Sequence, residues 1–138
     1  MNQSVKNLEN AHQAFRVGRL SDAEEICREI LGNDEQCAGA WHLMGKMAAL
    51  QSDLETANEF ASVACDLDPQ NAEFIRDFAE VFLRKKELEP AEQHSRRALE
   101  LLPESPEGLV LLARILAEKE EKSAALEAFQ EAVRIRKD

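Results

Sequence analysis

The sequence predicts an all-α protein of about eight antiparallel helices, and three observations support this fold class. Ala, Leu and Glu dominate the 138 residues, whereas Gly (5), Pro (4) and aromatic residues (5%) are sparse, a composition that favours helix over strand. The chain aligns with itself without a gap at a regular offset, which indicates internal repeats. Within each period, apolar residues recur at the spacing of one helix face.

The offset is visible as columns of small residues, because Ala23, Ala57, Ala91 and Ala125 are evenly spaced. Two helices approach each other closely only where the facing side chains are small. We therefore expect these columns to mark helix contacts that recur in every repeat. Two further columns run in register with the first: Ala11, Gly45, Ala79 and Ala113, and Ile30, Ala64, Ala98 and Ala132.

Each period predicts two helices joined by a turn. In the second period, apolar residues at Trp41, Met44 and Ala48 and again from Phe60 to Cys65 flank a polar segment at 51–53. Serine capping boxes and first-turn prolines signal helix starts, and prolines beyond a helix signal its end. The predicted starts are Ser21 with Glu24, Ser52 with Glu55, and Ser105 before Pro106; the predicted stops are Pro69 and Pro103.

The second period resembles the tetratricopeptide repeat through Trp41-x2-Met44-Gly45-x2-Ala48, Ala57-x3-Ala61 and Pro69. The third and fourth periods resemble it through Phe78, Ala79, Ala91 and Ala98, and through Leu112, Ala113, Ala125, Phe129 and Ala132. The resemblance implies an α-α superhelix (TPR solenoid), formed as a single array over residues 1–138. It implies four repeats at about 4–37, 38–71, 72–105 and 106–138.

The two ends of the array differ. Asn7, Asn10 and Gln13 occupy the positions of Trp41, Met44 and Met47, and this polar stripe suits the outer face of an N-terminal cap. At the other end the apolar columns continue, so we expect something to cover that face. The candidates are a downstream segment of a longer protein, a second copy of the chain that forms a homo-oligomer, or a crystal neighbour. The residues of this face are Phe129, Val133 and Ile135.

Family members use the first helices of their repeats to line a concave groove, and the resemblance implies a binding surface there. Leu8, Phe15, Leu43 and Leu50 are predicted to be exposed apolar anchors, although Leu50 fits the core equally well. We expect a protein or peptide partner with apolar anchors and some basic character. The predicted groove residues are Leu8, His12, Phe15, His42, Leu43, Lys46, Leu50, Arg76, Asp77, Glu80, Val110 and Arg114.

One family binding mode is not expected. Co-chaperone members hold a chaperone's C-terminal carboxylate with Lys and Asn in the first repeat, Asn in the second, and Lys and Arg in the third. Two of those cations are replaced here by carboxylates, which would repel the ligand. The matching residues are Leu8, His12, Leu43, Glu73 and Asp77.

Charge and motifs exclude other classes of function. A net charge of -10 disfavours nucleic acid and anionic membranes as partners. The first 14 residues do not resemble a signal peptide, and Cys27, Cys37 and Cys65 form no CxxC pair, so a cytoplasmic location is expected. His12, His42 and Glu9 form no known metal motif, and peptide contacts explain the histidines better than a metal does.

The sequence therefore favours an interaction scaffold. No phosphate-binding loop, GxSxG elbow or HExxH motif is found, and neither catalysis nor a cofactor is expected. Two alternatives stay open: an N-terminal docking or regulatory segment of a longer, enzymatic protein, and a self-associating structural module.

Overall fold

The computed structural model describes residues 3–137, with the side chain of Ser4 excepted, and these residues form eight α-helices. Short turns join the two helices of each repeat and reverse the chain, as predicted. The helices are α1 (Gln3–Arg16), α2 (Leu20–Asn33), α3 (Ala38–Leu50), α4 (Leu54–Leu67), α5 (Ala72–Arg84), α6 (Leu88–Leu101), α7 (Pro106–Glu118) and α8 (Lys122–Lys137).

The chain forms two compact units, Met1–Pro69 and Gln70–Asp138, and each contains two helix pairs. In the described part of unit 1, Ala11, Cys27 and Ile30 pack with residues of α3 in a core cluster. Unit 2 has one cluster around Leu83 and Ile115 and another around Leu112 and Leu116.

The three predicted columns of small residues are buried in the interior. Every member of the column that begins with Ala23 is buried. A Cβ built on Gly45 would lie 3.4 Å from the backbone N of Ala61 and 3.5 Å from the carbonyl O of Ala57. The backbones of α3 and α4 therefore approach closely, which confirms the reason given for the small residues.

The same motif ends the first helix of each repeat. Gly18, Ser52, Lys86 and Glu120 all have left-handed backbones, with φ of 84°, 61°, 65° and 65°. In the first repeat the N–H of Arg19 donates to the carbonyl of Ala14 at 2.8 Å, and the equivalent bond recurs in the other three repeats. This 6→1 hydrogen bond beside a left-handed residue is the C-terminal cap known as the Schellman motif.

The predicted capping boxes at Ser21 and Ser52 are wrong. Ser21 lies inside the first turn of α2, which begins at Leu20. Ser52 occupies the left-handed turn position, so the carboxylate of Asp53 caps α4 instead by accepting from the N–H of Thr56 at 3.2 Å. The spacing of Ser52 and Glu55 in the sequence does not show that Ser52 is the left-handed residue of the turn.

The other predicted helix boundaries are confirmed. The hydroxyl of Ser105 accepts from the N–H of Gly108 at 3.0 Å, and Pro106 is the first residue of α7. Pro69 and Pro103 each lie two residues beyond the end of a second helix.

Candidate binding surfaces

Helices α1 and α3 share a mixed apolar and basic surface in unit 1, which we name the unit 1 patch (Leu8, Phe15, Lys46 and Leu50). Leu8 and Phe15 are half-buried and pack against the core of the unit. The Lys46 ammonium lies 5.1 Å from the centroid of the Phe15 ring, a cation–π contact that links the two helices. His12 lies between Leu8 and Phe15 on α1 and is half-buried.

The predicted exposure of Leu43 is wrong, because its side chain is fully buried (0% exposed) in the core of unit 1. His42 is also buried. Helix α3 carries apolar residues around most of its circumference, so more than one face is buried and a single-stripe prediction fails. Leu50, for which the sequence left both options open, is 62% exposed at the end of this helix.

The histidines do not assemble the metal site that the sequence left as a minor alternative. Among the residues described, Glu9, His12 and His42 do not come together as three ligand atoms around one point.

A pocket of about 250 Å³ opens between α5, α7 and α8 in unit 2. Val110 and Leu111 provide its apolar lining, and charged side chains surround them. Five predicted groove residues meet at this pocket: Arg76, Asp77, Glu80, Val110 and Arg114. We name it the unit 2 pocket.

Ion pairs hold most of the charged groups of the unit 2 pocket. One Nη atom of Arg114 donates to both carboxylate oxygens of Glu80, at 3.1 Å each. Nε of Arg76 lies 3.8 Å from the Asp77 carboxylate. The lining includes three arginines and three carboxylates, so its formal charges balance. This pocket by itself therefore gives no preference for a basic ligand.

Arg136 is a lining residue of the unit 2 pocket that the sequence did not predict. It belongs to the second helix of the fourth repeat, whereas the resemblance implies a groove lined by first helices. Only the tertiary packing brings the end of α8 to the pocket.

Helix α8 carries an exposed apolar stripe, which we name the α8 face (Leu126, Phe129 and Val133). Its members are 56%, 39% and 54% exposed, respectively. Ile135, which the sequence grouped with this face, is half-buried. Leu126 was missed because the equivalent residues of the other repeats are the polar Glu24, Asn58 and Glu92.

An ionic cluster joins α6 to the turn before α8. The Lys119 ammonium lies 2.6 Å from Glu92, 2.8 Å from Glu89 and 3.5 Å from Glu121. The hydrogen bond from Lys119, followed by one from Arg96, lowers the pKa of Glu92 below its usual range. The hydrogen bonds that Lys119 donates to the carboxylates of Glu89 and Glu92 raise the pKa of Lys119.

His94 on α6 is half-buried. Its ring lies 4.8 Å from the centroid of Phe78 and 5.2 Å from that of Phe82. The ring is therefore part of an aromatic cluster between α5 and α6.

The three cysteines are free thiols, and burial raises the pKa of Cys27 to about 11, which disfavours its thiolate.

Comparison with known proteins identifies the family. The tetratricopeptide repeat matches residues 8–72 and 76–138, nearly the whole chain. The chain belongs to the tetratricopeptide repeat family. No curated protein sequence matches it. Within the described residues, no helix is both long and apolar enough to span a membrane.

Solved structures share the fold at low sequence identity. A crystal structure of MamA is 16% identical with a TM-score of 0.86; the match covers 99% of this chain and 80% of MamA. PilF of Pseudomonas aeruginosa is 19% identical with a TM-score of 0.90, over 97% of this chain and 61% of PilF. An O-GlcNAc transferase of Thermobaculum terrenum is 22% identical with a TM-score of 0.77, over 84% of this chain and 23% of the transferase.

Proposed function

We propose that this tetratricopeptide repeat protein is a non-catalytic cytoplasmic scaffold that binds a peptide or helix of a partner protein on the first helices of its repeats. The observation that supports the proposal is the unit 2 pocket, where five of the predicted groove residues line one opening. An apolar lining within a polar rim suits an apolar anchor residue of a peptide.

The unit 1 patch supports the same function in a different way. Leu50 is an exposed leucine four residues after Lys46, on the same side of α3. Phe15 is half-buried, and the Lys46 ammonium lies over its ring. A partner that buries Leu50 and Phe15 would gain about 25 cal/mol for each Å² of apolar surface removed from water.

The net charge of the chain adds a preference for basic ligands, and this preference acts at longer range than the contacts do. The formal charges that line the unit 2 pocket balance, but the chain as a whole has a formal net charge of -10 at pH 7. The field of such a chain attracts basic peptides and accelerates their encounter, more strongly at low ionic strength. Basic flanks around apolar anchors are therefore the proposed ligand chemistry.

The test is selection of binding peptides from a displayed random library, followed by affinity measurements on four variants. Leu50→Asp changes the unit 1 patch and Val110→Asp changes the unit 2 pocket. Val17→Asp and Leu102→Asp place the same charge at exposed apolar residues outside both surfaces. Leu43→Asp is unsuitable, because a buried charge in the core would unfold unit 1.

We expect Leu50→Asp or Val110→Asp to weaken the selected peptides by about tenfold or more, which corresponds to about 1.4 kcal/mol. The two control variants should retain the affinity. Peptides that bind all four variants equally well would contradict the proposal. Circular dichroism of each variant confirms that the helices are intact.

A further inference from the structure

Lys46 is a cation in apolar surroundings within the unit 1 patch. It is the only Lys, Arg, Asp or Glu of α3, and it is half-buried. Its ammonium lies 5.1 Å from the centroid of the Phe15 ring, and Leu50 follows four residues later on the same side of α3. Within the described part of the chain, no carboxylate pairs with Lys46. The three N–H donors of the ammonium are therefore available to an acceptor on a partner.

The equivalent residues of the other repeats show why this is unusual. Glu80 and Arg114 occupy the same repeat position in unit 2, where the guanidinium donates to both oxygens of the carboxylate. Each of these charges neutralises the other. In unit 1 the position is occupied by His12 and Lys46, neither of which is acidic. A carboxylate on a partner would give Lys46 the contact that Glu80 gives Arg114.

The charges of unit 1 are segregated between its first and second helices. Helices α1 and α3 carry three cations and one carboxylate, whereas α2 and α4 carry seven carboxylates and one arginine. A helix is about 10 Å across, and the Debye length is about 8 Å at physiological ionic strength. Charges on the second helices are therefore largely screened from a ligand that contacts the first helices. At contact the unit 1 patch is positive, although the unit as a whole is acidic.

The net charge of the chain limits how acidic the ligand is. A net charge of -10 repels a strongly acidic segment before it makes contact. A single carboxylate within a segment that has basic flanks avoids this repulsion and still reaches Lys46. The expected ligand therefore combines one acidic residue with the flanks already proposed.

A second copy of the chain matches the unit 1 patch poorly. Its acidic second helices would offer carboxylates to Lys46. However, among the described residues of α2 and α4, no large apolar side chain is exposed. The exposed Leu50 would therefore gain no apolar contact from such a copy. The better match is a segment in which a carboxylate and an apolar side chain are neighbours.

We propose that the unit 1 patch recognises an aspartate or glutamate next to an apolar residue in a segment of a partner protein. The Lys46 ammonium binds the side-chain carboxylate, and Leu50 contacts the apolar residue. Lys46 is not among the residues that match the co-chaperone clamp, and the bound group is a side chain within the segment and not a chain terminus. This inference rests on the proposed function and names the ligand chemistry at one of its surfaces.

The test selects peptides from a displayed random library in which a constant linker follows each peptide, so that no peptide has a free C-terminal carboxylate. The targets are wild type, Lys46→Met and Lys6→Met, and both substitutions remove one positive charge. Methionine keeps an apolar stem over Phe15. Lys6 is exposed and lies two residues before Leu8, so it points away from the patch.

The informative peptides are those that Leu50→Asp weakens and Val110→Asp does not. We expect such peptides from wild type and from Lys6→Met to share an acidic residue beside an apolar one. Peptides selected on Lys46→Met should lack this preference.

Fluorescence anisotropy of one such peptide, labelled with fluorescein and amidated at its C-terminus, then isolates the contact. Glutamine in place of its acidic residue should weaken binding to wild type about tenfold, or about 1.4 kcal/mol. Lys46→Met should weaken the acidic peptide by the same factor and leave the glutamine peptide unchanged. Lys46→Arg and Lys6→Met should bind both peptides as wild type does. Circular dichroism checks that each variant is helical, and the glutamine peptide tests the contact without any change to the protein.

Three results would overturn the inference: patch peptides without an acidic residue, equal binding of the acidic and glutamine peptides to wild type, or equal weakening of both by Lys46→Met. The last result would give Lys46 a structural role only. A dimer that sedimentation equilibrium shows to be lost in Lys46→Met would assign the patch to a second copy and would also overturn it. Patch peptides without a carboxylate would leave the proposed function intact. Peptides insensitive to both Leu50→Asp and Val110→Asp would contradict the proposed function itself.

Discussion

The turn at Gly18 offers the sharpest test of the link between sequence and fold, through a pair of glycine-to-alanine substitutions in unit 1. Gly18 has φ of 84° at the C-terminal cap of α1, whereas Gly32 lies within α2. A Cβ added at either position would meet no heavy atom within 4 Å. Any difference between Gly18→Ala and Gly32→Ala must therefore come from backbone conformation and not from packing.

The two substitutions should change the free energy of unfolding in opposite directions. Alanine in a left-handed conformation costs about 1 kcal/mol relative to glycine. Alanine within a helix is favoured over glycine by about 0.5–1 kcal/mol, partly because it restricts the unfolded chain. The free energies of unfolding of the two variants should therefore differ by about 1.5–2 kcal/mol.

Urea unfolding followed by the fluorescence of Trp41 is the appropriate assay. Trp41 is the single tryptophan, lies on α3 of the same unit as both glycines, and its indole N–H donates to the carbonyl of Glu35 at 2.9 Å. With a urea slope of about 2 kcal/mol/M, the two midpoints should differ by about 0.8–1 M. Equal midpoints, or a more stable Gly18→Ala, would refute the role assigned to the left-handed turn.

Two further predictions concern unit 2. Ser95→Ala should stabilise the protein by about 1 kcal/mol, because the buried hydroxyl has no hydrogen-bond partner; unchanged or reduced thermal stability would contradict this. Glu92→Gln should destabilise the protein at pH 7 by at most about 1 kcal/mol, since its contacts are partly solvated. The pKa of Glu92 is lowered by folding, so its contribution is present above the unfolded value of 4.5 and is lost as pH falls through the folded value. Urea midpoints of wild type and Glu92→Gln should therefore converge in acid, and a constant difference at every pH would count against the Lys119 contact.

Residues at equivalent positions of different repeats make chemically different contacts, although the helices that carry them are alike. Lys46, Glu80 and Arg114 occupy the same position of consecutive repeats. Lys46 uses it for a cation–π contact with Phe15, whereas Glu80 and Arg114 pair with each other across α5 and α7. The repeat fixes where the side chain points, and the side chain determines the chemistry that a partner meets. Binding specificity can therefore change along the chain without any change of fold.

The sequence by itself determined the repeat length, the helix pairs and the buried columns of small residues. These features depend on local propensity and on periodicity, and every repeat supplies the same information again. For the same reason the sequence could place Arg76, Asp77, Glu80, Val110 and Arg114, which line the unit 2 pocket, together on one surface. Their positions in the repeat specify one side of the first helices.

Only the tertiary structure decided which apolar side chains are covered. Leu43 is buried and Leu50 is exposed on the same helix, although both carry the same side chain. Ser95 on α6 is buried, whereas Phe129 at the equivalent position of α8 is 39% exposed. Helix α7 packs against α6, and none of the described helices packs on the α8 face in the same way. Burial depends on the neighbours that a helix acquires in space, and periodicity identifies a helix face without identifying what packs against it.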